Sequence, residues 1–376
     1  MSRCLLEISP SSAAFGLAAR RRPPAWMAIV MLTVACEGTG AEDTIVIAGK
    51  DGQASLRSTG EVVDYTGAGL VFRHAGGREQ TIPAGQVLEV QSPWVPAQVA
   101  ADEKFQQGRY EEALHHYREA LDKEPRQWVK RLILSQSVWC FRRTGQSLPA
   151  SLAFVQICRQ DPATPYFDSI PLPWETRPVP PALEEQSRKW LADSEPSAAR
   201  LLACGWLLST SQKPEALAAL RQLSSDSQPA VAFLAEAQIW RTTLLAAGRA
   251  EAERWQTRID RMPAPLQAGP LLLLAQLQSR LEQSEQAAIT FMKIAILHSR
   301  HAELAARSLL GAGTELEKIG QRDEASRLYE ELVAQYPDSA DSVGQAKQRL
   351  EELAQPKDVS PPRPASPPRQ APTPQP

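Results

Sequence analysis

Two periodicities divide the chain. Over 43–92, apolar and polar residues alternate: Val62 and Asp64 point opposite to Val63 and Tyr65, and Val87 and Glu89 opposite to Leu88 and Val90. A period of two is strand periodicity. Glycine-bearing turns at 49–52, 66–69 and 76–77 separate five short runs of this kind. From Val95 to Ala354 the apolar period lengthens to that of an amphipathic helix. The pattern predicts helices at 127–143, 148–160, 182–193, 196–210, 214–224, 228–247, 249–260, 267–282, 285–298 and 301–319, with a terminal helix in 339–353.

Within the helical part, KFQQGRYEEALHHYREALDKEP (104–125) fixes Gly108, Tyr110, Ala113, Tyr117, Ala120 and Pro125 at regular offsets. Gly108 accepts the left-handed backbone that ends a helix. Ala113 and Ala120 let two antiparallel helices approach, Tyr110 and Tyr117 fill the gap, and Pro125 stops the second helix. With Ala101 and Phe105 on the preceding helix, the stretch resembles a tetratricopeptide repeat. Residues 313–337 repeat the pattern with Gly313, Gly320, Ala325, Tyr329, Leu332 and Pro337, while Arg322 replaces the aromatic at Tyr110.

The fold expected is mainly α: an α-solenoid of such hairpins preceded by a small β-barrel, since closure removes exposed strand edges. The strand order of 43–92 resembles SH3-like or Sm-like barrels. The segments read as a targeting segment (1–41), the β module (43–92), repeat-like helices (95–160), a proline-rich loop (161–181), further repeats (182–354) and a proline-rich tail (355–376).

Composition changes the picture mainly at the ends. The chain has 376 residues, 43% apolar and 22% charged, with a formal charge of −2, so no global basic field favours nucleic acid. Its 31 prolines cluster in 161–181 and the tail. Arg20, Arg21 and Arg22 precede the apolar run 25–35, which has the form of a signal peptide. Cleavage before Glu42 would remove four arginines and two glutamates, moving the charge to −4. An alternative site, Thr33-Val34-Ala35-Cys36, resembles a lipoprotein box but departs from it at Thr33; Cys36 would then carry lipid. These features predict an exported protein of the periplasm or cell envelope.

Candidate chemistry is sparse. His115 and His116, with Glu112 and Glu119 three residues from them, sit where a repeat faces solvent, and His298-x-x-His301 marks a helix junction. Neither gathers enough ligands for zinc. Cys140, Cys158 and Cys204 lie in apolar helical contexts and read as small hydrophobes. In the β module, Lys50, Arg57, Arg73 and Arg78 with Tyr65 and Phe72 would be needed to bind RNA, but the aromatics read as core. No catalytic residue, metal or cofactor is expected.

The resemblance implies a concave groove lined by the first helix of each pair. It would include Gln98, Asp102, Phe105 and Gln106 in the first copy and Arg307, Leu310, Thr314 and Lys318 in the last. Some family members clamp a terminal carboxylate with Lys and Asn there; Gln98 and Asp102 do not match. The function expected is a non-enzymatic scaffold that binds protein partners. The alternative is a membrane-attached structural part of an envelope assembly.

Overall fold

Alternation in the first module produces an antiparallel sheet: β1 (Asp43–Ile47), β2 (Leu56–Thr66), β3 (Gly69–His74), β4 (Glu79–Ile82) and β5 (Val87–Gln91), in the order β4-β3-β2-β1-β5. The computed structural model describes residues 42–49, 55–192 and 195–355. The targeting segment, Cys36, Lys50 and the tail beyond Gln355 lie outside the described residues. Register pairs Ile45 with Val90, Val62 with Phe72 and Leu70 with Ile82, which places these six apolar side chains in the interior. The ladder of β2 on β3 slips between Val62 and Asp64, a bulge that bends the long strand. The module is thus a five-stranded antiparallel sheet in which, among the described residues, β4 and β5 are not paired with each other.

The sheet docks on the helices through β2. The sheet shares one core with the first helices, in which Ile45, Tyr65 and Phe72 join Ala97, Ala101, Tyr117 and Trp128. The Trp128 indole donates to the Val62 carbonyl at 3.1 Å. Arg131 donates to the Tyr65 carbonyl at 3.0 Å and pairs with Asp64.

Fourteen helices follow among the described residues. They are α1 (Pro96–Gln106), α2 (Tyr110–Lys123), α3 (Gln127–Arg143), α4 (Ser147–Gln160), α5 (Pro181–Trp190), α6 (Ser197–Leu207), α7 (Lys213–Leu223), α8 (Pro229–Thr243), α9 (Arg249–Ile259), α10 (Ala268–Arg280), α11 (Ser284–Leu297), α12 (Ala302–Lys318), α13 (Arg322–Gln335) and α14 (Ala340–Ala354). Every helix expected from the apolar period is present, and the ends differ by a few residues at most. Contacts two helices apart join α4, α6, α8, α10, α12 and α14 into one layer, with α5, α7, α9, α11 and α13 behind it. This is the stacking of a solenoid, where each hairpin buries its apolar face on its neighbours.

The repeat signature has a plain structural meaning. Gly108 and Gly320 carry φ of +75° and +83°. At each, the next residue's N–H closes on the carbonyl five positions back, Arg109 on Lys104 and Gln321 on Leu316, both at 2.9 Å. That closure satisfies carbonyls the helix end would leave open. Ala113, Ala120 and Ala325 are fully buried, as are Tyr117 and Tyr329. At Gly313 a Cβ would lie 2.4 Å from the Tyr329 ring, so only glycine permits that helix crossing. Tyr110 is half-buried against Phe105, and Pro125 and Pro337 follow the ends of α2 and α13.

Candidate functional site

The proline-rich segment 161–181 packs on the helices. Six prolines ahead of Pro181, which opens α5, remove backbone donors and keep the segment out of a helix or sheet interior. After a short 3-10 turn at Phe167–Ser169 it runs without helix or strand from 170 to 180, along the inner layer of the array. Leu172 meets Gly205 of α6, and Trp174 sits directly on Gly269 of α10. From α8, Gln238 donates to the Pro173 carbonyl at 3.3 Å and Arg241 to the Glu175 carbonyl at 2.6 Å. From α12, Arg307 pairs with the Glu175 carboxylate at 2.8 Å and Glu303 accepts from Arg177 at 3.3 Å. Arg177 also lies 4.9 Å over the Trp206 ring of α6. Four successive inner helices thus hold one extended strap by the contacts a peptide groove would use: small residues beneath an aromatic, donors to backbone carbonyls, and charge pairs to side chains.

Beyond the strap the concave face stays open. A cavity of about 1210 Å³ extends between the ends of α3 and α14, with α10 and α12 as its floor. Its far wall exists because the array curls back on itself. Arg142 of α3 donates to Nδ1 of His301 at 3.1 Å, a contact 159 positions apart in the chain. Arg300 donates to Gln136 of α3 at 3.3 Å. Trp139 lies between the Arg142 and Arg300 guanidiniums, each 4.5 Å from its ring, with the His301 ring edge-on at 4.9 Å.

The electrostatics of this seam follow from crowding. Burial lowers the Arg142 pKa to about 10, and Arg300 and Arg143 push the same way. Burial, with Arg142 next, holds His301 well below the ordinary histidine range; its neutral Nδ1 is therefore the acceptor. Burial raises Asp168, which faces Arg300 at 3.9 Å. At the other end of the floor, burial works against ionisation of Glu315, but hydrogen bonds from Lys318, Ser279 and Ser284 outweigh it and lower its pKa. The second carboxylate oxygen of Glu315 is buried without a hydrogen-bond partner.

The groove residues expected from the last copy, Arg307, Leu310, Thr314 and Lys318, all line this cavity. Those of the first copy do not. Gln98 is closed into the core with its Oε1 unpartnered, and Asp102 accepts the Tyr117 hydroxyl at 2.6 Å. Phe105 packs on Tyr110, and Gln106 is exposed away from the cavity. The physical cause is that Gln98 and Asp102 are taken up within the first repeat, where α1 packs on α2 and its apolar residues join the core shared with the sheet and α3.

The other candidates are placed apart. His115 is exposed, and His116 faces Glu119 at 3.6 Å. His298 caps the end of α11 and His301 the start of α12. Among the described residues no group of three or more His, Cys, Asp or Glu is disposed to hold a metal ion. Cys140, Cys158 and Cys204 are buried free thiols whose pKa values burial raises. In the sheet, Arg73 is tied to Glu61 and Glu79 and Arg57 donates to Gln91, while Tyr65 and Phe72 are interior. Among the described residues no helix is long and apolar enough to cross a membrane.

Sequence reasoning missed the seam. Its only local signal is the cationic character of two helix ends, Phe141-Arg142-Arg143 and Ser299-Arg300-His301, which nothing in the sequence joins.

Residues 306–339, covering most of α12 and all of α13, match the family model described as tetratricopeptide repeat. No curated protein matches the chain. Repeats of this kind generally mediate contact between proteins and are generally not catalytic.

Proposed function

We propose that this protein is a non-enzymatic scaffold that binds other proteins through the open part of its concave face, in a bacterial envelope compartment. The observation that carries the reading is the strap. The inner layer already binds an extended peptide segment in cis, through Gln238, Arg241 and Arg307, and the same layer continues uncovered along α12 and α14. A helix layer that holds one peptide segment in cis and leaves about 1210 Å³ open beside it suits a second peptide.

The envelope assignment rests on the basic and apolar pattern of residues 20–35. Terminal sequencing of the chain from fractionated cells tests it: a mature N-terminus at Glu42, or a fatty-acid label on Cys36, supports export, and an intact Met1 in the cytosol refutes it.

Crosslinking in intact cells tests the scaffold reading. A reproducible protein partner should be recovered with the parent chain and lost with Leu310→Glu, which charges the groove floor. Recovery of only peptidoglycan or lipid would replace the scaffold reading with a structural one.

A further inference from the structure

The seam between α3 and α12 carries more positive charge than the chain neutralises. Arg142, Arg143 and Arg300 converge on the same end of the cavity. Asp168 is the carboxylate within ion-pair range of Arg300, at 3.9 Å, and Glu303, the next along, is engaged by Arg177. Arg142 donates to the Ser169 carbonyl at 3.4 Å and to the neutral His301 ring and lies over Trp139, with Glu303 and Asp168 near enough to act on it but not in ion-pair contact. Arg143 lies over the Tyr110 ring at 5.4 Å. Three guanidiniums drawn partly out of bulk water around so few carboxylates are costly to hold, and aromatic faces offset part of that cost. Yet the site is wet: Arg300 keeps 49% of its side-chain surface open.

The strap shows which anion this wall receives. It offers two carboxylates to arginines at and near the start of α12: Asp168 to Arg300, and Glu175 to Arg307. Glu175 comes from the extended run and Asp168 from the 3-10 turn just before it; both are side chains, and neither is a chain terminus. The uncapped first turn of α12 faces the same cavity and adds its partial positive charge.

The geometry points to the recess formed by Trp139, Arg142, Arg143 and Arg300 as a docking site for acidic side chains on an extended segment of a partner protein. This rests on the scaffold reading and specifies its partner's chemistry. The chain's own tail is not the occupant: beyond Gln355 it carries Lys357, Arg363 and Arg369 against Asp358, the same sign as the recess. An acidic segment would place one carboxylate on Arg142 and Arg143 and leave the strap's two pairs intact.

The test uses the full chain and a fluorescein-labelled hexaglutamate peptide with an amidated C-terminus, followed by anisotropy. Binding should be measurable at low salt, weaken steadily as salt rises, and be absent for hexaglutamine. Arg300→Glu and Arg143→Glu should each weaken it at least tenfold, while Arg221→Glu on an exposed part of α7 should leave it within twofold. Circular dichroism and the thermal midpoint identify any variant that fails to fold; Arg143→Gln, a milder change, then serves instead and should weaken binding about threefold or more. Equal losses from Arg221→Glu and Arg300→Glu would overturn the site in favour of diffuse charge. Displacement of the peptide by inorganic phosphate beyond the effect of chloride at equal ionic strength would overturn it in favour of a free-anion site. The two readings fail separately: a cellular partner crosslinked equally to the parent and to Arg300→Glu would remove the acidic docking site and keep the scaffold.

Discussion

Trp174 occupies the space that a side chain at Gly269 would need: a Cβ built there would lie 1.8 Å from the indole. The strap and α10 are therefore fitted to each other at one point. Trp174 is largely buried in the core it shares with α6, α8 and α10. Trp174→Ala should cost about 3–5 kcal/mol, the range for truncating a large buried aromatic. Urea unfolding measures it. Gly269→Ala should lift the strap without removing its anchor and increase cleavage by added protease within 161–181; an unchanged cleavage pattern would show that the strap is not held at this contact.

Helix crossings in the two repeat copies depend on small side chains. Ala113 and Ala325 are fully buried where α2 and α13 meet their neighbours. Ala113→Trp or Ala325→Trp should each destabilise by about 1–3 kcal/mol through overpacking. Variants that melt with the parent would contradict the buried register.

Glu282 has φ of +60° at the end of α10, where the Gln283 N–H closes on the Gln278 carbonyl. Glycine fills the equivalent positions Gly108, Gly145 and Gly320. A left-handed backbone costs an L-residue about 1–2 kcal/mol. Glu282→Gly should raise the unfolding midpoint by an amount worth about 0.5–1 kcal/mol, whereas Gly320→Ala should lower it. A calorimetric scan of both variants checks the opposite signs.

Asp102 makes stability depend on pH. Burial raises its pKa to about 6, although the Tyr117 hydroxyl pulls the other way. An unfolded aspartate titrates near 3.9. The folded chain holds the proton more tightly, so stability declines as pH rises from about 4 to about 6 and levels off above that. Asp102→Asn removes this term. The variant should gain on the parent at pH 7 by at most about 3 kcal/mol, with the gap closing near pH 4. Urea unfolding at both values decides it, and a gap independent of pH would remove Asp102 as the cause.

Arg131 ties the sheet to the array through the Tyr65 carbonyl and Asp64. Arg131→Met keeps much of the bulk but removes the donors, and should cost about 1–3 kcal/mol. Hydrogen exchange should rise first in β2. Uniform protection across the variant would show that the sheet is held by apolar packing alone.

Much of this architecture was legible in the sequence because it is local. The alternation of Val62 to Tyr65 and the glycines at 67, 69 and 77 mark strands and turns within a few residues of one another. The offset from Tyr117 to Tyr329 preserves register so well that Thr314, at the position of Asp102, again approaches the tyrosine hydroxyl, at 3.5 Å. The candidate site was legible by half. Arg307, Leu310, Thr314 and Lys318 reach the groove because the last repeat keeps an open inner face. Gln98 and Asp102 do not, because Gln98 is closed into the core and Asp102 is held by the Tyr117 hydroxyl of α2, and no pattern within α1 announces either.

The sequence by itself determined which stretches form helices and strands and, for most of them, which face is apolar. Those properties depend on backbone preferences and side-chain period over one or two turns. Only the tertiary structure decided which inner helices hold residues 161–181 and that Arg142 meets His301. Curvature of a solenoid accumulates from a small rotation at every hairpin. Contacts across the ring thus depend on the sum of many packings, which no single stretch of the chain encodes.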